Sequence, residues 1–401
     1  MLTLDTIYKA SYTLKDVVHI TPLIHTEKIN PLCQLYLKPE NLQVTGSFKV
    51  RGSGFKISQL TDEEKSHGVI ACSAGNHAQG VALAARRAGI KSLICLPAGA
   101  PISKVEATRS YGAEICLVDG VYDDAYKRAL ELKEERQMTF IHPFDDELVI
   151  AGQGTIGLEI LKELPNVDVV FVPIGGGGLA SGVAYSIKQL KPNTTVIGVQ
   201  AEGAPSMLTS IAHHHIETLP EVLTIADGIA VKSPGEHTFD LCQKYVDSIV
   251  TVSEDEICAA ILALIEQHKL IAEGAGAVSV AAAMFNKVDI KGKTVCCIVS
   301  GGNVDVTILS RVINRGLLKG GRTTEMLIEM PDRPGSLLGL CKVISGLGAN
   351  IISVHHERNG ESPDVNSCNL RLVLETRDRN HIEAIRNGII ATGGYRILNE
   401  Q

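Results

Sequence analysis

An α/β fold built on open, mostly parallel sheets, followed by a smaller ferredoxin-like βαββαβ domain, is the architecture this sequence predicts. Three observations carry the reading. From Gly68 to Ser300, short apolar runs alternate with helical stretches, the pattern of buried parallel strands joined by crossover helices. The segment GLLKGGR, Gly316 to Arg322, holds three glycines and no periodic pattern, and beyond it the sequence changes character. The chain of 401 residues is too long for one average domain, and its 45% hydrophobic content is ample for two or three cores.

Taken in order, the stretch MLTLDTIYKASYTLKDV reads as an amphipathic helix rather than a signal peptide. No segment is apolar for long enough to span a bilayer, so a soluble, cytoplasmic protein is expected. Next come the strand-like runs VIACS, KSLICLP, AEICLVD, DVVFVPI, TTVIGVQ and KTVCCIVS, separated by helical stretches such as HAQGVALAARRAG. A linker is expected over 316–322. The tail, 323–401, reads as strand EMLIEM, turn PDRPGS, helix LLGLCKVISGLG, strands NIISVHHER and NLRLVLET, helix RNHIEAIRNGII and strand GYRIL. No repeat of fixed period occurs, which excludes solenoids and propellers.

The formal net charge of −7, spread without long runs, argues against nucleic acid or an anionic membrane as the main partner. Of the ten cysteines, Cys72, Cys95, Cys116, Cys296 and Cys297 sit in apolar runs without ligand spacing and read as buried free thiols. The run His213-His214-His215 reads as a solvated loop or helix end, because neighbouring side chains diverge. No metal site is assigned.

Ligands of open parallel sheets bind at the carboxyl ends of the strands. Three loops there join glycine to polar groups: Ser73-Ala74-Gly75-Asn76-His77, Gly175-Gly176-Gly177-Gly178 and Ser300-Gly301-Gly302-Asn303. Four glycines between a buried strand and a helix are better explained as a phosphate cradle than as a flexible linker, since their N–H groups can converge on oxygens at the helix N-terminus. A competing reading stays open: Gly175-x-Gly177-x-x-Ala180, with Glu202 ending the next strand, also fits a loose dinucleotide fingerprint.

That alternative leaves Lys49 without a role. In TGSFKVRGS, Thr45 to Ser53, Lys49 follows Ser47, a plausible helix N-cap, and so lies at the positive end of a helix. A helix N-terminus and burial both disfavour the charged amine and prime it as a nucleophile. A cofactor with one phosphate and a reactive carbonyl uses all four features, and pyridoxal 5'-phosphate is that cofactor. It needs a lysine amine, a phosphate cup, a donor for its ring oxygen and a partner for its ring nitrogen.

Together Ser47-Phe48-Lys49-x-Arg51-Gly52, the SAGNH loop, the four glycines and the SGGN loop resemble the threonine/serine dehydratases of the type II pyridoxal-phosphate fold. The resemblance covers about residues 1–315 and implies a small subdomain, about 48–145, inserted in a larger one. The tail resembles an ACT domain, an amino-acid-sensing module, and the chain as a whole resembles threonine ammonia-lyases carrying one such domain.

The resemblance implies that Lys49 holds the cofactor, that Phe48 packs against its ring, that Asn76 binds the ring oxygen, that Gly175 to Gly178 hold the phosphate and that Ser300 meets the ring nitrogen. Ser73, Ala74, Gly75, Asn76 and His77 would take the substrate carboxylate, and Lys49 would remove the Cα proton. A neutral serine hydroxyl cannot protonate a pyridine nitrogen as an aspartate would, which favours elimination over transamination. In the similar serine racemases the residue at Ala74 is a serine acting as second base, so racemisation is not expected. Of their acidic cation site only Glu202 remains, leaving it at most a neighbour of a monovalent ion.

Dehydration of L-threonine, with L-serine as secondary substrate, is therefore expected. An L-serine dehydratase or serine racemase-like enzyme is the alternative, and after it a nicotinamide-dependent dehydrogenase or a non-catalytic amino-acid sensor. Biosynthetic (isoleucine-forming) and catabolic roles are both compatible with the sequence. The turn Asp332-Arg333-Pro334-Gly335-Ser336-Leu337 and Asn350 correspond to the effector site of ACT domains, usually formed where two such domains meet. An amino-acid or nucleotide effector and a homo-oligomer, dimer or tetramer, are expected.

Overall fold

The computed structural model describes residues 2–358 and 366–400, which form two compact units, 1–308 and 309–401. Among the described residues no helix is long and apolar enough to cross a membrane.

The first unit carries ten strands: β1 (Ile24–Thr26), β2 (Gln34–Pro39), β3 (Val69–Cys72), β4 (Ser92–Pro97), β5 (Glu114–Val118), β6 (Thr139–Phe140), β7 (Val169–Pro173), β8 (Thr195–Ala201), β9 (Ser248–Val252) and β10 (Thr294–Val299). They form two sheets. One has the order β1-β2-β10-β7-β8-β9, parallel except for β1 against β2; the other, β5-β4-β3-β6, is wholly parallel. The second sheet is thus inserted, in chain order, between β2 and β7 of the first.

The six apolar runs identified in the sequence are β3, β4, β5, β7, β8 and β10. β1 and β6, of three and two residues, are too short to show a period. β2 is masked by Lys38, which the sequence presents as a solvated residue and the fold buries completely. Its Nζ donates to Thr21 O and to Glu159 Oε2, both at 2.6 Å. Cys116, expected to be buried, is only partly so, because β5 is an edge strand. The other four cysteines of that group are buried, and all ten are free.

Helix Lys49–Ser58 is locked in place from two sides. It packs on helix Glu147–Glu163 at a glycine-to-glycine approach: a Cβ on Gly152 would lie 2.6 Å from both Arg51 O and Gly52 Cα. Arg51, fully buried, donates to both carboxylate oxygens of Glu40 at 2.8 Å and to Glu159 Oε1 at 2.6 Å. With Lys38 this makes two cations facing two carboxylates, so the buried charge is balanced.

The second unit folds as an antiparallel sheet of order β12-β13-β11-β14, from β11 (Thr323–Pro331), β12 (Asn350–Glu357), β13 (Ser367–Glu375) and β14 (Arg396–Glu400). Helices Ser336–Gly346 and Arg379–Ala391 supply Leu340, Ile344, Ile385 and Ile389 to its core, against Ile328, Leu370 and Leu372 of the strands. This is the ferredoxin-like βαββαβ order.

Residues 316–322, expected to be a linker, are largely helical. Helix Val306–Lys319 runs through Gly316, and the division between units falls at 308/309. Val306, Leu309, Val312, Ile313 and Leu317 recur at helical spacing, and a single interior glycine costs a helix only about 1 kcal/mol.

Candidate active site

The loops after β3, β7 and β10 and the start of helix Lys49–Ser58 build the site. The TGSFK stretch is fastened to the SGGN loop along its length. Phe48 N donates to Ser300 O at 3.1 Å, Gly302 N to Gly46 O at 2.9 Å and Asn303 Nδ2 to Thr45 O at 2.7 Å. Gly46, at φ +71°, makes the turn that permits this; a Cβ there would strike Asn303.

Ser47 does not cap the helix. Phe48 occupies the N-cap position without a side-chain cap bond, and the buried Ser47 hydroxyl has no hydrogen-bond partner among the described residues. Lys49 is therefore the first helical residue, still at the positive end of the dipole. The side chain is half-buried; its Nζ donates to Pro143 O at 2.7 Å and lies 5.3 Å from the Phe48 ring centroid. Burial lowers its pKa to about 8, against the pull of the Glu273 carboxylate.

Glu273 is the functional residue that the motifs did not announce. It lies 4% exposed at the N-cap of helix Gly274–Met284, and its Oε1 accepts from Asn76 Nδ2 at 2.6 Å. Asn76 Oδ1 in turn accepts from Asn303 Nδ2 at 2.8 Å, so the amide of Asn76 is held in one orientation from both sides. Burial and the Asp227 charge push the Glu273 carboxyl up to about 7. The sequence offers only a single acid in the otherwise uncharged stretch IAEGAGA, which sets no local pattern.

His77 is buried beside this cluster, its Nε2 2.8 Å from Ile141 O; burial and the Lys49 charge pull its pKa to about 3, so it is neutral and structural. In the SAGNH loop Gly75 N donates to the Ser73 hydroxyl at 3.2 Å. Among the described residues no protein acceptor faces the N–H groups of Asn76 and His77 at the start of helix Asn76–Ala88. A Cβ on Gly75 would meet nothing within 4 Å, so the protein itself does not require glycine there, and the space in front of these N–H groups is open.

The glycines after β7 behave differently. A Cβ on Gly176 would fall 2.4 Å from the Phe144 ring, one on Gly178 2.9 Å from the Phe144 backbone, and one on Gly177, at φ +99°, 2.7 Å from Thr238 and Met207. Thr238 Oγ1 fastens the loop by donating to Gly176 O at 2.6 Å. Gly176 to Gly178 are buried, yet among the described residues no protein acceptor meets their N–H groups or that of Leu179, at the head of helix Gly178–Leu190. Consecutive buried donors at a helix N-terminus are costly unless an anion satisfies them, and a phosphate does.

Pyridoxal phosphate fits this donor set. A half-buried amine of lowered pKa, unsatisfied N–H groups for a phosphate, an oriented amide and a buried hydroxyl all belong to one unit. Ser300 Oγ is 3% exposed and donates to Ala275 O at 3.2 Å; the same hydrogen can turn to a ring nitrogen. Glu202, by contrast, is exposed after β8. His213 closes helix Ser206–His213, and its Nδ1 lies 2.6 Å from Glu217 Oε1.

The effector residues expected in the tail are not brought together within one chain. Asn350 pairs with Glu375 at one end of the sheet, whereas Pro331, which leads into Asp332, Gly335, Ser336 and Leu337, pairs with Ser367 at the other.

Comparisons with known proteins agree with this geometry. A family profile described as "Pyridoxal-phosphate dependent enzyme" matches residues 14–301. The chain is 50% identical over 395 residues to an L-threonine ammonia-lyase of Thermotoga maritima, covering 98% of each chain. Among solved structures it is similar to the processed form of threonine deaminase isoform 2 from Solanum lycopersicum, with TM-score 0.74 and 40% identity over 79% of this chain and 95% of that one. It is also similar to a maize serine racemase, with TM-score 0.74 and 36% identity over 79% of this chain and 98% of that one.

Proposed function

The chain belongs to the family of pyridoxal-phosphate-dependent enzymes, and on that premise we propose that it converts L-threonine to 2-oxobutanoate and ammonia, with L-serine to pyruvate as a side reaction. The observation that carries the reading is the conjunction of Lys49, half-buried with its pKa lowered to about 8, with the unsatisfied N–H groups of Gly176 to Leu179 in the same unit. The likeness in sequence to an L-threonine ammonia-lyase along 98% of both chains supports the choice of substrate.

Pyridoxal phosphate, when bound, supplies an electron-accepting ring that acidifies the substrate Cα–H. The residues do the rest. Lys49 Nζ, which now donates to Pro143 O, would hold the cofactor and, as a free amine, would take the substrate's Cα proton. The N–H groups of Asn76 and His77 and the open space at Gly75 receive the substrate carboxylate, leaving the β-hydroxyl free to depart. Asn76, clamped by Glu273 and Asn303, would offer its amide to the ring oxygen. Ser300 would donate to the ring nitrogen without ionising it, which would favour loss of the hydroxyl over amine transfer. The released enamine hydrolyses to a 2-oxo acid and ammonia.

Racemisation is the second reading, favoured by the similarity to a serine racemase. Ala74 offers no hydroxyl to act as a second base opposite Lys49, which weighs against it.

The tail is read as an ACT domain binding an amino acid, isoleucine or valine, in a cytoplasmic homo-oligomer. The separation of Asn350 from Gly335 supports a site shared between two chains, since one chain cannot bring both to one ligand. The experiment is to follow ammonia, 2-oxo acid and chirality with L-threonine and L-serine in the wild type and in Lys49→Ala. Turnover in the wild type, its loss by orders of magnitude with the visible cofactor absorption in the variant, and no D-serine are expected. Wild-type rates in Lys49→Ala sink the mechanism; D-serine formed at the rate of deamination sinks the substrate chemistry.

A further inference from the structure

We propose that Asp332, His356 and Cys368 form a binding site for a divalent cation of the zinc class, at the end of the sheet where the effector turn begins. The three residues come from three neighbouring strands. Asp332 follows β11, His356 lies on β12 and Cys368 on β13, and their ligand atoms all lie within 4.8 Å of one another.

Register explains the convergence. Cys368 pairs with Met330 and His356 with Leu370, so His356, Cys368 and Met330 point to the helix-covered face of the sheet. Asp332, two residues beyond Met330, continues that face past the end of the strand. Cys368 is fully buried and His356 and Asp332 are exposed, so the thiol forms the floor of the site and the other two its rim. The contact between His356 Nε2 and Cys368 Sγ is 3.0 Å, and the thiol also lies 3.7 Å from Met330 O.

The donor chemistry selects the ion. One thiolate, one imidazole and one carboxylate suit zinc or its spectroscopic relatives and not magnesium or calcium, which take oxygen. Zinc bonds of about 2.0–2.3 Å in a tetrahedron set ligand atoms roughly 3.3–3.7 Å apart, so the present cluster needs to close by about an ångström. Three protein ligands leave a fourth position for water or a small ligand.

Without metal, a cation already answers Asp332. Arg358 Nε lies 3.1 Å from Oδ2 and Nη2 donates to Oδ1 at 3.2 Å. This pair is exposed, with side chains 67% and 31% accessible, and exposed pairs are weak enough for a metal ion to displace. On binding, the Cys368 thiol yields its proton to solvent, Sγ bonds the metal and Arg358 swings free.

The test uses the full chain, stripped with chelator and loaded with zinc. Equilibrium dialysis gives stoichiometry and affinity, and X-ray absorption at the zinc edge counts sulfur ligands. One zinc per chain with one sulfur is expected. His356→Gln, a change at an exposed position that should leave the fold intact, and Cys368→Ala should each weaken binding at least about tenfold. The paired variant His213→Gln/His215→Gln should keep the sulfur-bearing site, because those exposed histidines face only each other and Glu217. Zinc bound without sulfur is adventitious histidine binding and overturns the proposal. So does wild-type affinity in either His356→Gln or Cys368→Ala, or no zinc retained by the wild type.

Discussion

The opposite charges of Lys49 and Glu273 favour one another, and burial opposes both. The carboxylate favours the protonated lysine, while burial of both groups favours their neutral forms. Because the folded pKa of Lys49 is lowered to about 8 from 10.5, its neutral amine, the form that the proposed role requires, accumulates as pH rises through about 8. Reconstitution of the stripped enzyme with pyridoxal phosphate should therefore accelerate through that range, as followed by visible absorption. Glu273→Gln removes the charge that raises the lysine pKa, so the midpoint should move to lower pH; an upward shift or none would show that the carboxylate does not sense Lys49. The same variant keeps a hydrogen-bonding oxygen for Asn76. Asn76 and Ser300 stood out in the sequence because each lies in a short polar loop after an apolar strand, and Lys49 because a cation at a helix start is electrostatically unfavourable. Glu273 did not, since its hydrogen-bond partner Asn76 lies 197 residues before it, and a lone acid carries no local pattern.

At the scale of elements, the position of Lys49 depends on how closely two helices approach. Helix Lys49–Ser58 meets helix Glu147–Glu163 where a Cβ on Gly152 would fall 2.6 Å from Arg51 O. Those contacts are backbone, which cannot rotate away. Gly152→Ala should therefore separate the helices, at roughly 1–3 kcal/mol for overpacking, which outweighs the gain of up to about 1 kcal/mol from replacing glycine in a helix. Thermal unfolding should show a lower Tm, and kcat should fall although residue 152 touches neither substrate nor cofactor. An unchanged Tm would mean that the helices part without cost. The strands here were legible from their apolar runs, but the two places where local signals misled are instructive. Ser47 looked like a helix cap, and the helix begins one residue beyond Phe48 because Ser47 is drawn into a bridge with Gly301. Gly316, Gly320 and Gly321 looked like a flexible linker, and only the last two lie outside the helix, whose apolar spacing outweighs one glycine.

For the molecule as a whole, the chain order βαββαβ made the second fold legible before any contact was known, because each element shows its own period and turn. What sequence order could not convey is which ends of the strands face each other, and this decides how a regulatory ligand could be bound. Asn350 and Gly335 stand at opposite ends of the same sheet. A ligand that needs both must bridge two chains, so effector response and association of chains should rise and fall together. Coupling of about 1–3 kcal/mol would move the apparent affinity for L-threonine several-fold or more. The test is to compare the intact chain with one ending after Arg322, which keeps helix Val306–Lys319 whole. Isoleucine, valine and nucleotides are titrated against both while sedimentation reports the assembly. The intact chain should respond to one of them, and Asn350→Ala should lose that response while keeping basal turnover. The shortened chain, provided it retains turnover, should be indifferent to the same ligand. A shortened chain that still responds would place the sensor within residues 1–322 and leave the antiparallel unit without the regulatory role proposed for it.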